Sequence, residues 1–312
     1  MPLHTRLANH PTGARLRGAA LVVVWSSGFI GAELGTRHAG PDTVLTWRCL
    51  ATAAVLLPWL PRAITRLDRR EWARQAVLAL LCQCLYLGGV VSAAAAGVPA
   101  GTSALIASLQ PALVLVATVL PTRRRVRKSH LVGLALGTTG VAVTTTGDLH
   151  AGVGIPALLL PLSAMLSLAA GTLLQQRWSR TAPPLMQTLA VQAVVTAGFF
   201  TAYSAVAGEL APPSSTGFWT AVVWAVVAGV GSYGLYYLTT TRDGADRAST
   251  LLYLTPAATA LWAAPMFGQP IGPTTVLGLL ISATAVALLR TPSAPGPDES
   301  TPPGRNRVGC SR

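Results

Sequence analysis

Residues 75–122 read QAVLALLCQCLYLGGVVSAAAAGVPAGTSALIASLQPALVLVATVLPT and contain no charged residue. A helix crossing the core of a bilayer takes about 20 residues, so this stretch holds two crossings joined at Gly97-Val98-Pro99. Hydrocarbon offers no partner to an unpaired backbone amide, which makes helix the default for both. Charge-free stretches also separate Arg180 from Glu209, Glu209 from Arg242 and Arg247 from Arg290, and the last is again long enough for two spans. Over all 312 residues the chain is 51% hydrophobic and only 11% charged, with mean hydropathy +0.51. A soluble domain carries about 25% charged residues.

Extending this reading outward predicts an all-α polytopic membrane protein. Ten spans are expected, at residues 18–34, 42–60, 73–96, 100–120, 131–146, 154–174, 184–206, 217–239, 248–267 and 273–289. The fifth is short and ends in Thr144, Thr145 and Thr146. Arg6, Arg15 and Arg17 ahead of the first apolar stretch give it the look of a signal peptide. No small-x-small cleavage site follows, so it reads as an uncleaved first helix. Gly40-Pro41, Pro183-Pro184, Pro212-Pro213 and Gly272-Pro273 punctuate other joins.

Threading the ten spans alternately sorts the charges. Of the 23 Lys and Arg residues, 21 fall on one side, in the segments that hold Arg6–Arg17, Arg62–Arg74, Arg123–Lys128, Arg177–Arg180, Arg242–Arg247 and Arg290–Arg312. Arg37 falls on the other side and Arg48 inside a span. Short basic loops resist translocation, which puts both termini in the cytoplasm of a multi-pass protein of the cell (plasma) membrane. The same topology accounts for the net charge of +13 and pI near 10.9 without nucleic acid as a partner. Trp59, Trp72 and Trp178 fall at the inner boundary and Trp219 at the outer one, as interfacial aromatics do. Cys49, Cys82, Cys84 and Cys310 lack metal-binding spacing, and no cofactor is expected. The tail 291–312 is rich in Pro, Ser and Gly and reads as disordered.

The halves repeat. At an offset of 145, Leu109-Gln110-Pro111-Ala112 aligns with Leu254-Thr255-Pro256-Ala257, Gly133-Leu134 with Gly278-Leu279, and Thr139 with Thr284. The expected units are an N-terminal cytoplasmic tail 1–17, a first five-helix repeat 18–147, a second 148–290, and the tail 291–312. Five is odd, so the two copies must enter the membrane from opposite sides. Inverted repeats provide two related conformations, the basis of alternating access.

Ser108-Leu109-Gln110-Pro111 through Thr118, and Tyr253-Leu254-Thr255-Pro256 through Trp262, resemble the paired Pro-containing segments of the EamA family of the drug/metabolite transporter superfamily. Trp25-Ser26-Ser27-Gly28-Phe29, Arg48 and the Gly-rich fifth and tenth helices extend the resemblance over residues 18–290. It implies a ten-helix inner-membrane carrier of small metabolites, often an exporter of amino acids or related compounds. Members usually carry a Glu just after the fourth and ninth helices; this chain has Arg124 and Gln269 there, so any role of that acidic position is in doubt.

Candidate site residues follow from cost. An Arg inside a span is expensive by about 2.5 kcal/mol or more, so Arg48 needs a partner or a watery cavity. Either it pairs with Glu33 or Asp42 or snorkels outward, or it holds a substrate carboxylate. Glu33 is the candidate for ion coupling, although its place near the end of the first helix exposes it to water. Trp25, Phe29, Tyr86, Gln110, Tyr233, Tyr237 and Tyr253 are the other candidate substrate contacts. Gln83, Ser108, Ser163, Ser167, Tyr236 and Thr255 could join them, or simply bond their own helices. Pro111 and Pro256 each remove a backbone hydrogen bond and are expected to kink their helices at equivalent depth. Gly133, Gly137, Gly140, Gly229, Gly231 and Gly234 are expected to permit close helix packing.

These readings make the chain a secondary transporter of a small amino-acid-like or amphipathic solute, an exporter by resemblance, driven by a gradient or by exchange. Its partners are the substrate and the bilayer; the oligomeric state stays open. The alternative within transport is a carrier of nucleotide- or lipid-linked sugars, against which the scarcity of deep cations counts. An intramembrane enzyme would need embedded His, Asp or Glu. The five His residues fall in loops or at span ends, so an enzyme is not expected.

Overall fold

Every regular element in the computed structural model is helical among the residues it describes, 11–119, 128–178 and 184–289. In chain order they are α1 (Pro11–Thr36), α2 (Pro41–Arg66), α3 (Arg69–Ala95) and the two-part α4a (Ala100–Ala107) and α4b (Gln110–Val119). Then come α5 (Lys128–His150), α6 (Ile155–Trp178), α7 (Leu185–Ala207) and α8 (Thr216–Asp243). Another two-part helix, α9a (Ala245–Leu252) and α9b (Thr255–Phe267), precedes α10 (Pro273–Leu289). Among the described residues, seven helical stretches, α1 to α4 and α6 to α8, are long and apolar enough to cross a membrane, and α10 contains a shorter apolar helix.

Local chemistry sets the ends. Pro41 opens α2 behind an extended Gly40, where its missing N–H is no loss. Asp68 caps α3 by accepting from Glu71 N at 2.6 Å, and Ser215 caps α8 by accepting from Phe218 N at 3.3 Å. Gly208 (φ 76°) and Gly268 (φ 68°) close α7 and α9b in the left-handed conformation that glycine adopts without strain.

Several helices outrun the apolar segments read from the sequence. α1 starts by Pro11, α2 continues to Arg66 and α8 to Asp243, so Arg15, Arg17, Arg62, Arg66 and Arg242 lie on helical turns instead of loops. Arg is a good helix former once outside lipid. The Thr-rich end of α5 is helical too. Thr144, Thr145 and Thr146 each donate back to a carbonyl of their own helix, at 3.1, 3.0 and 2.7 Å, and the helix runs on to His150.

α4 and α9 are each interrupted just before their proline. Leu109 N donates to Ile106 O at 3.1 Å, and Leu254 N donates to Leu251 O at 3.0 Å; both are tight one-turn bonds, 145 residues apart. Pro111 and Pro256 then occupy the first turn of α4b and α9b, where a missing N–H costs least. The expected kinks are therefore breaks with a restarted helix.

Packing follows a pattern. α1 lies on α8 and α3 on α6, while α2 packs with α7, α4 with α9 and α5 with α10. Replacing each helix by the one five positions along turns this set of pairs into itself. Two sets of lesser contacts obey the same exchange: α2 with α8 answers α7 with α3, and α1 with α9 answers α6 with α4.

Contacts between helix ends sort into two poles. At one, Arg17 on α1 forms a two-pronged ion pair with Asp243 on α8 (3.0 and 2.6 Å), and the Arg74 guanidinium lies 5.7 Å from the Trp178 ring. At the other, Thr43 donates to Glu209 O (2.8 Å), Trp47 to Leu210 O (3.0 Å), and Ala100 N to Gln269 Oε1 (3.2 Å). The described basic residues at helix ends gather at the first pole, except for Arg37. Arg6, Arg123, Arg124, Arg125, Arg127, Arg180, Arg290, Arg305, Arg307, Arg312, Cys310 and the tail 291–312 lie outside the described residues.

Glycines hold α5 against α10. A Cβ on Gly140 would overlap the Gly278 carbonyl and the Ser282 side chain, and a Cβ on Gly278 would overlap Thr144 and the Gly140 carbonyl. Gly229 and Gly234 differ, with nothing within 4 Å of a would-be Cβ. We expect Gly140→Ala to lower stability by about 1–3 kcal/mol through overpacking. Gly234→Ala should leave it level or slightly raised, because alanine favours helix. Thermal unfolding of the detergent-solubilised chain checks both; equal melting temperatures for the two variants would reject this account of the α5–α10 contact.

Candidate functional site

Residues 80–85 of α3 form a π-helical turn, one residue wider than the regular helix around it. The widening leaves Leu81 O to the Ser167 hydroxyl of α6, which donates to it at 2.8 Å. α6 comes this close because residue 171 is glycine, where a Cβ would overlap Cys82. Gln83 also lies on this turn, and its amide donates to Tyr233 Oη of α8 at 3.2 Å.

Gln83 and Tyr233 line a cavity of about 140 Å³ enclosed by α1, α2, α3, α7 and α8. Trp25 and Phe29 from α1, Arg48 from α2 and Tyr86 from α3 complete its aromatic and polar wall. Trp25 is held by aromatic packing, with ring centroids 6.3 Å from Tyr233 and 5.8 Å from Tyr236. Leu189, Ala193, Ala225, Ala228 and Gly229 add apolar, mostly small residues to the lining.

Arg48 is the one charged side chain in this lining, and it is only 8% exposed. It sits two helical turns, about 10 Å, in from the start of α2. No described carboxylate pairs with it. Glu33 instead engages Arg37, just past the end of α1, at 3.2 and 3.3 Å. Arg37 in turn lies 4.5 Å from the Phe267 ring centre and donates to Phe267 O at 3.3 Å. Glu33 therefore belongs to a contact between α1 and α9 at the pole opposite the basic one. That contact also includes Gln269, which stands where a Glu is usual. The pairing of Arg48 with Glu33 or Asp42 considered from the sequence is not made.

Three candidate contacts point elsewhere. Gln110 donates to Thr172 of α6 at 3.0 Å, outside the cavity. Tyr237 is 55% exposed on the outer surface of the bundle. Tyr233, Tyr236 and Tyr237 look like one face by spacing, yet consecutive residues differ by about 100°, and only Tyr233 reaches the lining. Tyr253 lines a smaller pocket, about 70 Å³, with Ser108, Leu109, Leu254, Pro256 and Gly137 where the two helix breaks meet α5 and α10. The hydroxyls of Ser108 and Ser163 are committed to carbonyls of their own helices, at 2.6 and 2.8 Å.

The sequence profile described as "EamA-like transporter family" matches residues 16–146 and again residues 155–291. The chain belongs to this EamA-like transporter family. It is similar to the "Uncharacterized transporter YvbV" of Bacillus subtilis (strain 168), at 23% identity over 282 residues, which cover 88% of this chain and 90% of that protein. A solved structure described as "Crystal structure of protein" shares the fold, with TM-score 0.60 and 19% identity, covering 90% of this chain and 97% of that one. Family membership and the apolar helices together make this a multi-pass membrane protein of a transporter family.

In this EamA-like chain, one buried carboxylate escaped the sequence reading. The sequence reading ends the fifth span at residue 146, which leaves Asp148 in the loop after it. With α5 continuing to His150, Asp148 is only 8% exposed and accepts from Thr102 Oγ1 of α4a at 2.7 Å. The signal available was the run of Thr residues, whose hydroxyls can be satisfied by carbonyls of their own helix and so need not end it. Thr102→Val should destabilise the chain by about 1–3 kcal/mol by leaving a buried acceptor unpaired, and Thr102→Ser should restore most of the loss. A melting temperature unchanged in Thr102→Val would show that the bond contributes nothing.

Proposed function

We propose that the chain is a secondary transporter that carries a small organic metabolite across the plasma membrane by alternating access, in the direction of export. In this reading it spans the membrane ten times, as two five-helix repeats of opposite orientation, with both termini in the cytoplasm. The observation that carries the reading is the cavity between α1, α2, α3, α7 and α8, which draws its wall from both halves of the chain. A solute held there contacts both units, so their relative rocking would move its exit from one face to the other.

The exchange pattern of helix pairs and the matched breaks before Pro111 and Pro256 support two structurally equivalent halves. Basic residues gathered at one pole support cytoplasmic termini. Export rests on the resemblance to exporters alone. The aromatic and small apolar lining favours an organic solute over an inorganic ion, and its single cation is a poor match for the several charges of a nucleotide-linked sugar.

Filling the cavity tests the reading. Gly229 lines it, and a Cβ there meets nothing within 4 Å, so a larger side chain can enter without displacing the helices. Gly229→Phe should reduce solute counterflow in proteoliposomes on the order of ten-fold or more, while the melting temperature stays close to that of the parent. Full counterflow through Gly229→Phe would reject this cavity as the path.

A further inference from the structure

Resting on the transport reading, we propose that the cavity selects organic monoanions: solutes with one carboxylate and an apolar or aromatic body, in preference to zwitterions and cations of the same shape. The argument is an inventory of charge and hydrogen-bonding capacity at the wall. Arg48 supplies the only full charge in the lining, and no described carboxylate neutralises it. A carboxylate beside it removes a net charge from a low-dielectric site, whereas an ammonium adds a second like charge there.

Some of the neutral polar groups can donate to the same ligand. Thr52 Oγ1 donates to Arg48 O (2.8 Å), Thr196 Oγ1 to Gln192 O (2.7 Å) and Ser232 Oγ to Val24 O (3.2 Å), so these three hydroxyl hydrogens are already committed. Tyr233 Oη accepts from Gln83, which leaves its phenol hydrogen available to donate. Tyr86 Oη, also in the lining, has no hydrogen-bond partner among the described residues. The uncommitted donors are thus the Arg48 guanidinium, one N–H of the Gln83 amide and two phenols, a set matched to the oxygens of one carboxylate; the acceptors left beside them, Gln83 Oε1 and the three hydroxyl oxygens, are all neutral. Trp25 and Phe29 offer ring faces to an apolar body. The ammonium of a zwitterion would find no carboxylate in this wall.

Four probes with a common phenyl body and different charge make the test: 3-phenylpropanoate, 3-phenylpropanamide, phenylalanine and 2-phenylethylammonium. Calorimetric titration of the full detergent-solubilised chain should show 3-phenylpropanoate binding about ten-fold or more tightly than the other three. Arg48→Gln should abolish that preference, and Arg48→Lys, with charge but no planar fork, should keep part of it. The wild-type ranking stands even if either variant fails to fold. Equal or tighter binding of the amide, zwitterion or ammonium probe overturns the proposal, as does binding of none. Counterflow of the same probes in proteoliposomes separates the two readings. Binding that follows charge without counterflow of any probe keeps the anion site and rejects transport, while counterflow without charge preference does the reverse.

Discussion

Hydrocarbon supplies no hydrogen-bond partner to a backbone amide or carbonyl, and each one left unpaired there costs several kcal/mol. The described elements obey this constraint by being helical, and the departures from regular helix are the informative places. At the wide turn of α3, the Leu81 carbonyl is taken by Ser167 of a neighbouring helix. At the breaks in α4 and α9, tight bonds from Leu109 and Leu254 reclose the backbone before a proline whose own missing N–H falls in a first turn. Irregular backbone is tolerated at such depth only when buried in protein or facing a cavity. The α3 turn lies beside the large cavity, and both breaks border the small one.

Arrangement in pairs gives these departures their meaning. α5 and α10 approach through glycine, with Gly140 and Gly278 each admitting the other's backbone. The breaks of α4 and α9 meet next to that contact, in a pocket to which both halves contribute corresponding residues, such as Leu109 with Leu254 and Ala112 with Ala257. The larger cavity is bounded by a different set of helices, α1, α2, α3, α7 and α8, again from both halves. A bundle built this way keeps one rigid glycine-packed pair, α5 with α10, apart from the five helices around the proposed solute site.

Part of that site was legible from residue type alone. Arg48 stands out because a cation within a span demands a reason, and Trp25 and Phe29 because they are aromatics on a helix that could line a cavity. Tyr86 and Tyr233 share their type and plausible depth with Tyr237 and Tyr253, and Gln110 is polar at similar depth, yet these last three lie elsewhere. Nothing in residue type separates these groups. Most of the spanning helices are apolar on nearly every face, so no polar stripe announces which side turns inward, and rotation about the helix axis is set by the neighbours. Glu33 was assigned by its distance from a helix end, yet its partner, Arg37, was four residues on, just past the end of α1. Asp148 was missed because a Thr-rich segment reads as the end of a helix when it is in fact its continuation.

By itself the sequence determined a membrane-embedded helical protein with two related halves. Those properties depend on where charge is absent, where it collects and which residues recur at a fixed offset, all of which are linear along the chain. Only the tertiary structure decided that Arg48 faces a cavity without a described counter-ion, that Gln83 reaches Tyr233 across it, and that Asp148 is buried against Thr102. Those facts depend on how each helix is turned about its axis and on what the neighbouring helix presents. Hydrophobicity cannot encode that rotation when lipid and protein interior are equally apolar.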